Sequence, residues 1–120
     1  MKFAREYEMS QRVIDAWADL SGDHNPLHVD IGYAEGTRFG GTIAHGHYTL
    51  AVIEDLLLES WGERWLRGGV LRDLRFRAPV RPGGRYRVMV GEPDGGQAHV
   101  EVVDMSDGTL VVEGLAVQPC

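Results

Sequence analysis

Residues 45–61 read HGHYTLAVIEDLLLESW and contain no proline and no glycine after Gly46. In the helix that this spacing predicts, apolar side chains lie on almost every side. Such a helix is stabilised when other elements surround it, because it has little polar surface to turn toward water. The sequence therefore predicts a long helix from about His45 to Trp61 at the centre of the fold.

The part of the chain after Gly69 predicts strands. Polar and apolar side chains alternate there in four segments, residues 73–77, 85–90, 98–103 and 109–115, as in strands with one buried face. Short glycine-containing turns connect them, so we expect antiparallel pairing in sequence order. Before the long helix we expect a first strand over residues 2–7 and a short helix that begins after Ser10 and ends at Ser21-Gly22. The predicted fold is α+β, an antiparallel sheet wrapped around one long helix.

The length of 120 residues suits one domain, which we expect to cover residues 1–120. The formal net charge of −6 at pH 7 argues against nucleic-acid binding. No apolar run approaches the roughly 18 residues of a membrane span, and the first residues lack the apolar core of a secretion signal. The one cysteine, Cys120, is the last residue, so no internal disulfide is possible. These features predict a cytoplasmic protein that does not insert into a membrane.

A cluster of polar residues marks where chemistry is expected. Four of the five histidines lie between residues 24 and 47, and the loop that holds the first of them also contains Asp23, Asn25, Pro26 and Asp30. Asp23 and His28 are five residues apart across this proline-stiffened loop, so both can point into one cavity. A carboxylate beside an imidazole forms a general acid/base pair that works near neutral pH and can orient a water molecule. In the alternative interpretation, Asp23 caps a turn and His28 is a structural histidine.

Gly46 stands at the predicted start of the long helix. The first N–H groups of a helix have no partner within it and suit a developing oxyanion, and a glycine lets a ligand approach the backbone closely. Gly46 is alternatively a helix cap or a close packing point. His24, His45 and His47 are also candidate ligands of a zinc ion, since three imidazoles can bind a catalytic zinc. On a helix His45 and His47 point about 200° apart, so no metal is predicted.

Two segments resemble a known family. Residues 20–30, LSGDHNPLHVD, resemble the hydratase motif of MaoC-like dehydratases, also called (R)-specific enoyl-CoA hydratases. Residues 39–46, FGGTIAHG, resemble the family's second motif, at the start of its central helix. The resemblance covers nearly the whole chain and implies the hot-dog fold, in which an antiparallel sheet wraps a long helix.

The resemblance also implies an activity, the reversible syn hydration of a trans-2-enoyl thioester of coenzyme A or acyl carrier protein to the (R)-3-hydroxyacyl thioester. The resemblance transfers the roles of the family's motif residues to the matching positions of this chain. Asp23 and His28 then hold and activate the water, and the Gly46 N–H binds the thioester carbonyl oxygen. Which of Asp23 and His28 is the acid and which the base stays open. No cofactor is expected. The candidate substrate-binding residues are Asn25, His45 and Glu54. We interpret Asn25 as a residue whose side chain organises the loop.

Glu54 departs from the family pattern. Some (R)-hydratases have a serine eight residues after the motif glycine, where its hydroxyl supports the aspartate, and Glu54 occupies that position here. We hypothesise that Glu54 approaches Asp23, so that repulsion between the carboxylates raises at least one pKa. In the alternative, Glu54 faces solvent.

Two other functions are compatible with the same fold. A hot-dog thioesterase would direct the water at the carbonyl carbon, and a non-catalytic hot-dog module would only bind acyl chains or partners. We expect a homodimer or a dimer of dimers, which hides strand edges. The pattern also places Arg75, Arg77, Arg85 and Arg87 on one face of two neighbouring strands. There, some of them could meet the phosphates of coenzyme A or the acidic surface of an acyl carrier protein; in the alternative, they face solvent.

Overall fold

Five strands, four α-helices and one 3-10 helix make up the part of the chain that the computed structural model describes, residues 3–119. Lys2, in the predicted first strand, and Cys120 lie outside these residues. The elements in chain order are β1 Phe3–Glu8, α1 Gln11–Ser21, α2 Pro26–Val29, α3 Ile31–Glu35, α4 Gly46–Trp61, the 3-10 helix Gly62–Arg67, β2 Val70–Phe76, β3 Arg85–Val90, β4 Gln97–Asp104 and β5 Leu110–Val117.

The helix boundaries follow the predicted signals. The Ser10 hydroxyl accepts a hydrogen bond from the Val13 N–H at 3.2 Å and caps α1, which ends at Gly22 with a left-handed φ of 81°. The long helix α4 begins at Gly46, one residue later than expected, because His45 has extended backbone angles. The chain continues past Trp61 into the 3-10 helix. The predicted long helix is therefore confirmed.

The sheet is antiparallel throughout, with the strand order β1-β3-β4-β5-β2. β3, β4 and β5 pair in sequence order, as predicted. The prediction is wrong for β2, which pairs with β5 at the far edge of the sheet and not with β3. β1 occupies the free side of β3 instead, with Tyr7 opposite Tyr86.

The connection between β2 and β3 explains this difference. Residues 77–84 form a crossover and not a hairpin turn. At its start, the N–H groups of Arg77 and Ala78 donate to the Val111 carbonyl, at 2.7 and 3.3 Å. At its end, Gly83 donates to the Met9 carbonyl at 2.8 Å, and Met9 donates to the Gly84 carbonyl at 3.0 Å. These bonds hold residues 77–84 in place where the chain crosses from β2, at one edge of the sheet, to β3, the strand beside β1.

The strand order also separates the four arginines. Arg85 and Arg87 of β3 form ion pairs with Glu8 and Glu6 of β1, at 2.9 and 2.8 Å. Arg77 pairs with Glu113 of β5 at 2.6 Å. The arginines therefore do not form one basic face on neighbouring strands, because β4 and β5 lie between β2 and β3.

The core lies between α4 and one face of the sheet. Ile53 and Leu57 of α4 are fully buried and belong to one cluster with Tyr86, Val88 and Val100. The helix packs on β1 and β3. The sheet and the long helix form the predicted hot-dog arrangement.

An irregularity interrupts β2. The pairing of β2 with β5 shifts between Arg72 and Arg75, and Asp73 has a φ of 55°, as in a β-bulge. The bulge brings Leu74 over Gly114 of β5. A Cβ atom at Gly114 would lie 2.6 Å from Leu74 Cδ2 and 3.3 Å from the Arg72 carbonyl oxygen, so only glycine fits there without displacement.

No helix between residues 3 and 119 has both the length and the apolar character needed to cross a bilayer.

Two adjacent positions of α4 give a test of this packing. Ile53 is fully buried and Glu54 is exposed. We expect Ile53→Ala to lower the free energy of unfolding by about 2–5 kcal/mol, because it leaves a cavity in the core. Glu54→Ala is the matched control and should change it by less than about 0.5 kcal/mol. Urea unfolding followed by circular dichroism measures both. Similar losses in the two variants would contradict the orientation of α4.

Candidate active site

Hydrogen bonds within the loop after α1 shape the first motif. The Asn25 N–H donates to Asp23 Oδ1 at 3.2 Å, and Asn25 Oδ1 accepts from the Leu27 N–H at 3.0 Å. Asn25 thereby caps α2, and Pro26 takes the first helical position, where its missing N–H costs nothing. Asn25 is exposed and bonds local backbone, as expected of a loop organiser.

His28 is held at the end of α2 by a backbone carbonyl of one segment and a side chain of another. Its Nδ1 lies 2.8 Å from the Ile43 carbonyl oxygen. A carbonyl only accepts, so Nδ1 carries the hydrogen and Nε2 of the neutral ring keeps a free lone pair. The Gln11 side chain of α1 donates to the His28 carbonyl at 2.8 Å. The ring is therefore oriented with a basic nitrogen available.

His45, just before α4, is fully buried. Its Nε2 donates to the Asp23 carbonyl oxygen at 2.9 Å, and its Nδ1 is buried without a hydrogen-bond partner. Burial disfavours the charged ring, so the pKa of His45 is lowered. A neutral His45 stacks on His28, with ring centroids 3.9 Å apart.

The Asp23 carboxylate lies beside these rings and is 40% exposed. Its Oδ2 accepts a hydrogen bond from His47 Nε2 at 3.1 Å. This bond, together with the Asn25 N–H, lowers the pKa of Asp23. Asp23 is therefore ionised at neutral pH.

The spacing of these groups suits a bound water. One oxygen of Asp23 and one ring nitrogen each of His28 and His45 lie within 4.8 Å of one another. A water that donates to two acceptors at about 2.8 Å spans about 4.6 Å between them. Asp23 and His28 are thus placed to share one water molecule.

The same three residues have donor atoms of the kinds that bind metals. The His28 and His45 rings are stacked, with 28° between their planes, and each ring has one nitrogen bonded to a backbone carbonyl oxygen. His24, part of the set considered from the sequence, turns instead to Asp19, at 2.9 Å. His24 is therefore not part of the group formed by Asp23, His28 and His45.

A cleft of about 350 Å³ opens next to the polar cluster. His28 and Gly46 both line it, and apolar walls come from Phe39, Ile43, Phe76 and Val80. A Cβ atom at Gly46 would lie 3.3 Å from the Phe76 ring, so the missing side chain keeps the start of α4 close to the cleft. Asp23 is not among the residues that line the cleft, but one of its carboxylate oxygens lies within 4.8 Å of a ring nitrogen of His28, which does.

Glu54 does not join the cluster. It is exposed and lies eight residues beyond Gly46, about 12 Å along the helix. The pKa of Asp23 is lowered by its donors and not raised by a second carboxylate. The alternative, that Glu54 faces solvent, is the arrangement in the structure.

Sequence reasoning missed two residues of the cluster. The sequence analysis treats His47 only as a metal ligand and gives Trp17 no role in the site, yet Trp17 Nε1 donates to His47 Nδ1 at 2.7 Å, and His47 bonds Asp23. The signal that could have found them is the start of the helix at Gly46, which leaves His45 outside the helix and frees His47 to face Asp23.

Burial of His45 predicts a pH-dependent stability. Its pKa is lower in the folded than in the unfolded chain, so the unfolded chain binds more protons as pH falls through the ordinary histidine value, and stability falls with pH. We expect His45→Gln to reduce the loss of unfolding free energy between pH 7.5 and 5.5, measured by urea denaturation.

His24 provides the opposite control. Its hydrogen bond to Asp19 raises its pKa, so it adds stability as pH falls, and His24→Gln should make the loss steeper. Equal pH dependence in His45→Gln and the parent would contradict the buried neutral ring.

Comparisons with known proteins agree with the fold and the motifs. The MaoC like domain model matches residues 1–115. The 3-hydroxyacyl-thioester dehydratase Z of Mycobacterium tuberculosis is 35% identical over 118 residues, which cover 93% of this chain and 77% of that protein. The unliganded R-hydratase PhaJ1 from Pseudomonas aeruginosa superposes with a TM-score of 0.72 at 29% identity, over 99% of this chain and 80% of that one. The (R)-hydratase from A. caviae gives 0.70 at 26% identity, over 99% and 95%. The chain therefore belongs to the MaoC-like domain family.

Proposed function

We propose that this protein interconverts trans-2-enoyl thioesters and (R)-3-hydroxyacyl thioesters by adding or removing water. The observation that carries the proposal is the placement of an ionised Asp23 and a His28 ring nitrogen within 4.8 Å of each other, with His28 and the first residue of α4 lining one cleft. The names of the relatives, a 3-hydroxyacyl-thioester dehydratase and (R)-hydratases, support it.

In the hydration direction, the water donates one hydrogen bond to Asp23 and one to His28 Nε2. His28 takes the proton, because an imidazole accepts a proton near neutrality and the carboxylate with a lowered pKa is the weaker base. The water oxygen forms a bond to Cβ, and the π electrons move toward the thioester carbonyl. The ionised Asp23 stabilises the imidazolium that forms.

The negative charge that develops on the carbonyl oxygen needs a donor. The Gly46 N–H is at the first position of α4, where the helix dipole favours negative charge. The proton on His28 then moves to Cα, which completes addition of one water to one face of the double bond. Dehydration is the same sequence in reverse. Water, the Asp23 and His28 side chains and the Gly46 N–H supply every group that this route requires.

The cleft indicates how an acyl thioester is held. Its polar end has His28 and Gly46, and its walls have apolar side chains, among them Phe39, Ile43 and Val80. The apolar walls fit the acyl chain, while the thioester carbonyl lies at Gly46. We infer that the substrate is an acyl thioester of coenzyme A or acyl carrier protein.

Two substitutions test the chemistry. We expect Asp23→Asn and His28→Gln each to lower kcat for hydration of a trans-2-enoyl-CoA by about 10²-fold or more, because each removes a group that handles the water. Loss of the enoyl-thioester absorbance measures the rate, and short and long acyl chains are compared. His24→Gln, an exposed histidine of the same loop, is the matched control and should keep the parental rate.

Other outcomes separate the alternative functions. Release of free thiol, with the double bond retained, would identify a thioesterase. Acyl-CoA binding without turnover of any enoyl or 3-hydroxyacyl thioester would indicate a binding module. Parental rates in Asp23→Asn or His28→Gln would remove that residue from the mechanism.

We further propose that the protein forms a homodimer through β2. This strand is at an edge of the sheet, where unpaired backbone groups favour pairing with a second chain. Val70 and Phe76 of β2 are 50% and 52% exposed. Phe76 also lines the cleft, so a partner at this edge would lie close to the acyl site. A closed two-fold assembly would cover these apolar side chains.

A charge at this edge tests the assembly. We expect light scattering to give twice the chain mass for the parent and the single mass for Val70→Arg, because an arginine there places charge in the interface. Leu20→Arg is the control, since Leu20 is also exposed but lies on α1, and it should stay dimeric. A monomeric parent at micromolar concentration would contradict the dimer.

A further inference from the structure

Two hydrogen bonds in series connect Trp17 to the active-site carboxylate through His47. Trp17 Nε1 lies 2.7 Å from His47 Nδ1, and His47 Nε2 lies 3.1 Å from Asp23 Oδ2. The indole and imidazole rings also contact each other, with centroids 5.9 Å apart. The two hydrogen bonds thus connect α1, through the start of α4, to the loop between α1 and α2 that holds Asp23, which we call the motif loop.

The chemistry of the indole fixes the direction of both bonds. An indole N–H can only donate, so His47 Nδ1 accepts and carries no hydrogen. The single ring hydrogen of a neutral His47 is therefore on Nε2, where it donates to Asp23. A protonated His47 would carry a hydrogen on Nδ1 as well and would lose the bond from Trp17. The arrangement thus requires a neutral His47 with one defined tautomer.

This donor limits the movement of an exposed carboxylate. Asp23 is 40% exposed and lies in a loop, where a free side chain would sample several rotamers. The Asn25 N–H binds Oδ1 and His47 binds Oδ2, so each oxygen has one fixed donor. The carboxylate plane is then set, and each oxygen keeps a free lone pair for the water.

The surrounding charges do not supply the same restraint. The titratable groups that face Asp23 are His28 from α2, His45 and His47 from the start of α4, and His24 from its own loop. His45 bonds the Asp23 backbone carbonyl and not the carboxylate. His28 is committed to Ile43 through Nδ1. Of these rings, His47 is the one with a hydrogen bond to the carboxylate.

We propose that His47, with its tautomer set by Trp17, is a positioning residue that holds the Asp23 carboxylate toward the reacting water. The inference rests on the proposed function for its effect on rate. The hydrogen bond and the tautomer can be measured without any substrate. His47 also contributes to the lowered pKa of Asp23.

The first test needs no activity. In ¹⁵N NMR of the full chain at pH 7.5, His47 should show the Nε2–H tautomer, and Trp17→Phe should shift it toward a mixture. A ¹³C titration of the Asp23 carboxyl should show a raised pKa in His47→Leu and a value close to the parent in His47→Gln. The glutamine amide can accept from Trp17 and donate to Asp23, as the imidazole does.

The second test uses the hydration assay. His47→Leu should lower kcat by about 10- to 100-fold, the scale for residues that orient an active-site group through a hydrogen bond. KM should change less than about threefold. His47→Gln should recover kcat to within about threefold of the parent. His24→Gln is the control for removing an exposed histidine of the site region.

Each contrary result overturns the inference. An Nδ1–H tautomer of His47, or an Asp23 titration unaffected by His47→Leu, would do so whether or not the protein hydrates enoyl thioesters. So would parental kcat in His47→Leu, or equal losses in the leucine and glutamine variants. A parent with no hydratase activity would instead contradict the proposed function, and the NMR results would still decide the role of His47.

Discussion

The hydrogen bond from His45 Nε2 to the Asp23 carbonyl oxygen joins the two halves of the site. His45 is the residue before α4, and Asp23 begins the motif loop. Because His45 is fully buried, its ring can be neither displaced nor hydrated without opening the fold. This one bond therefore fixes where the loop lies relative to the start of the helix. The stacking of His28 on His45 depends on it as well.

Local patterns in the sequence were enough to predict most of the elements. The caps at Ser10 and Gly22 and the apolar run of α4 depend on residues close together in the chain, and each was found near its predicted place. The position of β2 was not predictable in this way, because its partner β5 lies about 40 residues further along the chain. The crossover bonds that carry residues 77–84 past the sheet involve Met9 and Val111, which no local pattern connects.

The same distinction between local signals and contacts of distant segments applies to the candidate site. The motif loop and Gly46 could be located from sequence, since the proline, the caps and the helix start are local signals. The link from Trp17 through His47 to Asp23 could not, because it joins three separate segments and depends on α4 beginning at Gly46. For Glu54 the sequence left two orientations open, because angular position on a helix does not give distance along its axis, and the structure has the solvent-facing one.

The contact between Leu74 and Gly114 has an evolutionary consequence. The bulge in β2 places Leu74 where a Cβ of residue 114 would lie, and the Arg72 carbonyl closes the remaining space. A larger residue at position 114 is therefore acceptable only if position 74 becomes smaller and the bulge relaxes with it. The coupling runs in one direction, because a smaller side chain at position 74 meets no clash with Gly114. Divergence at position 114 would then have to follow a change at position 74 and could not precede it.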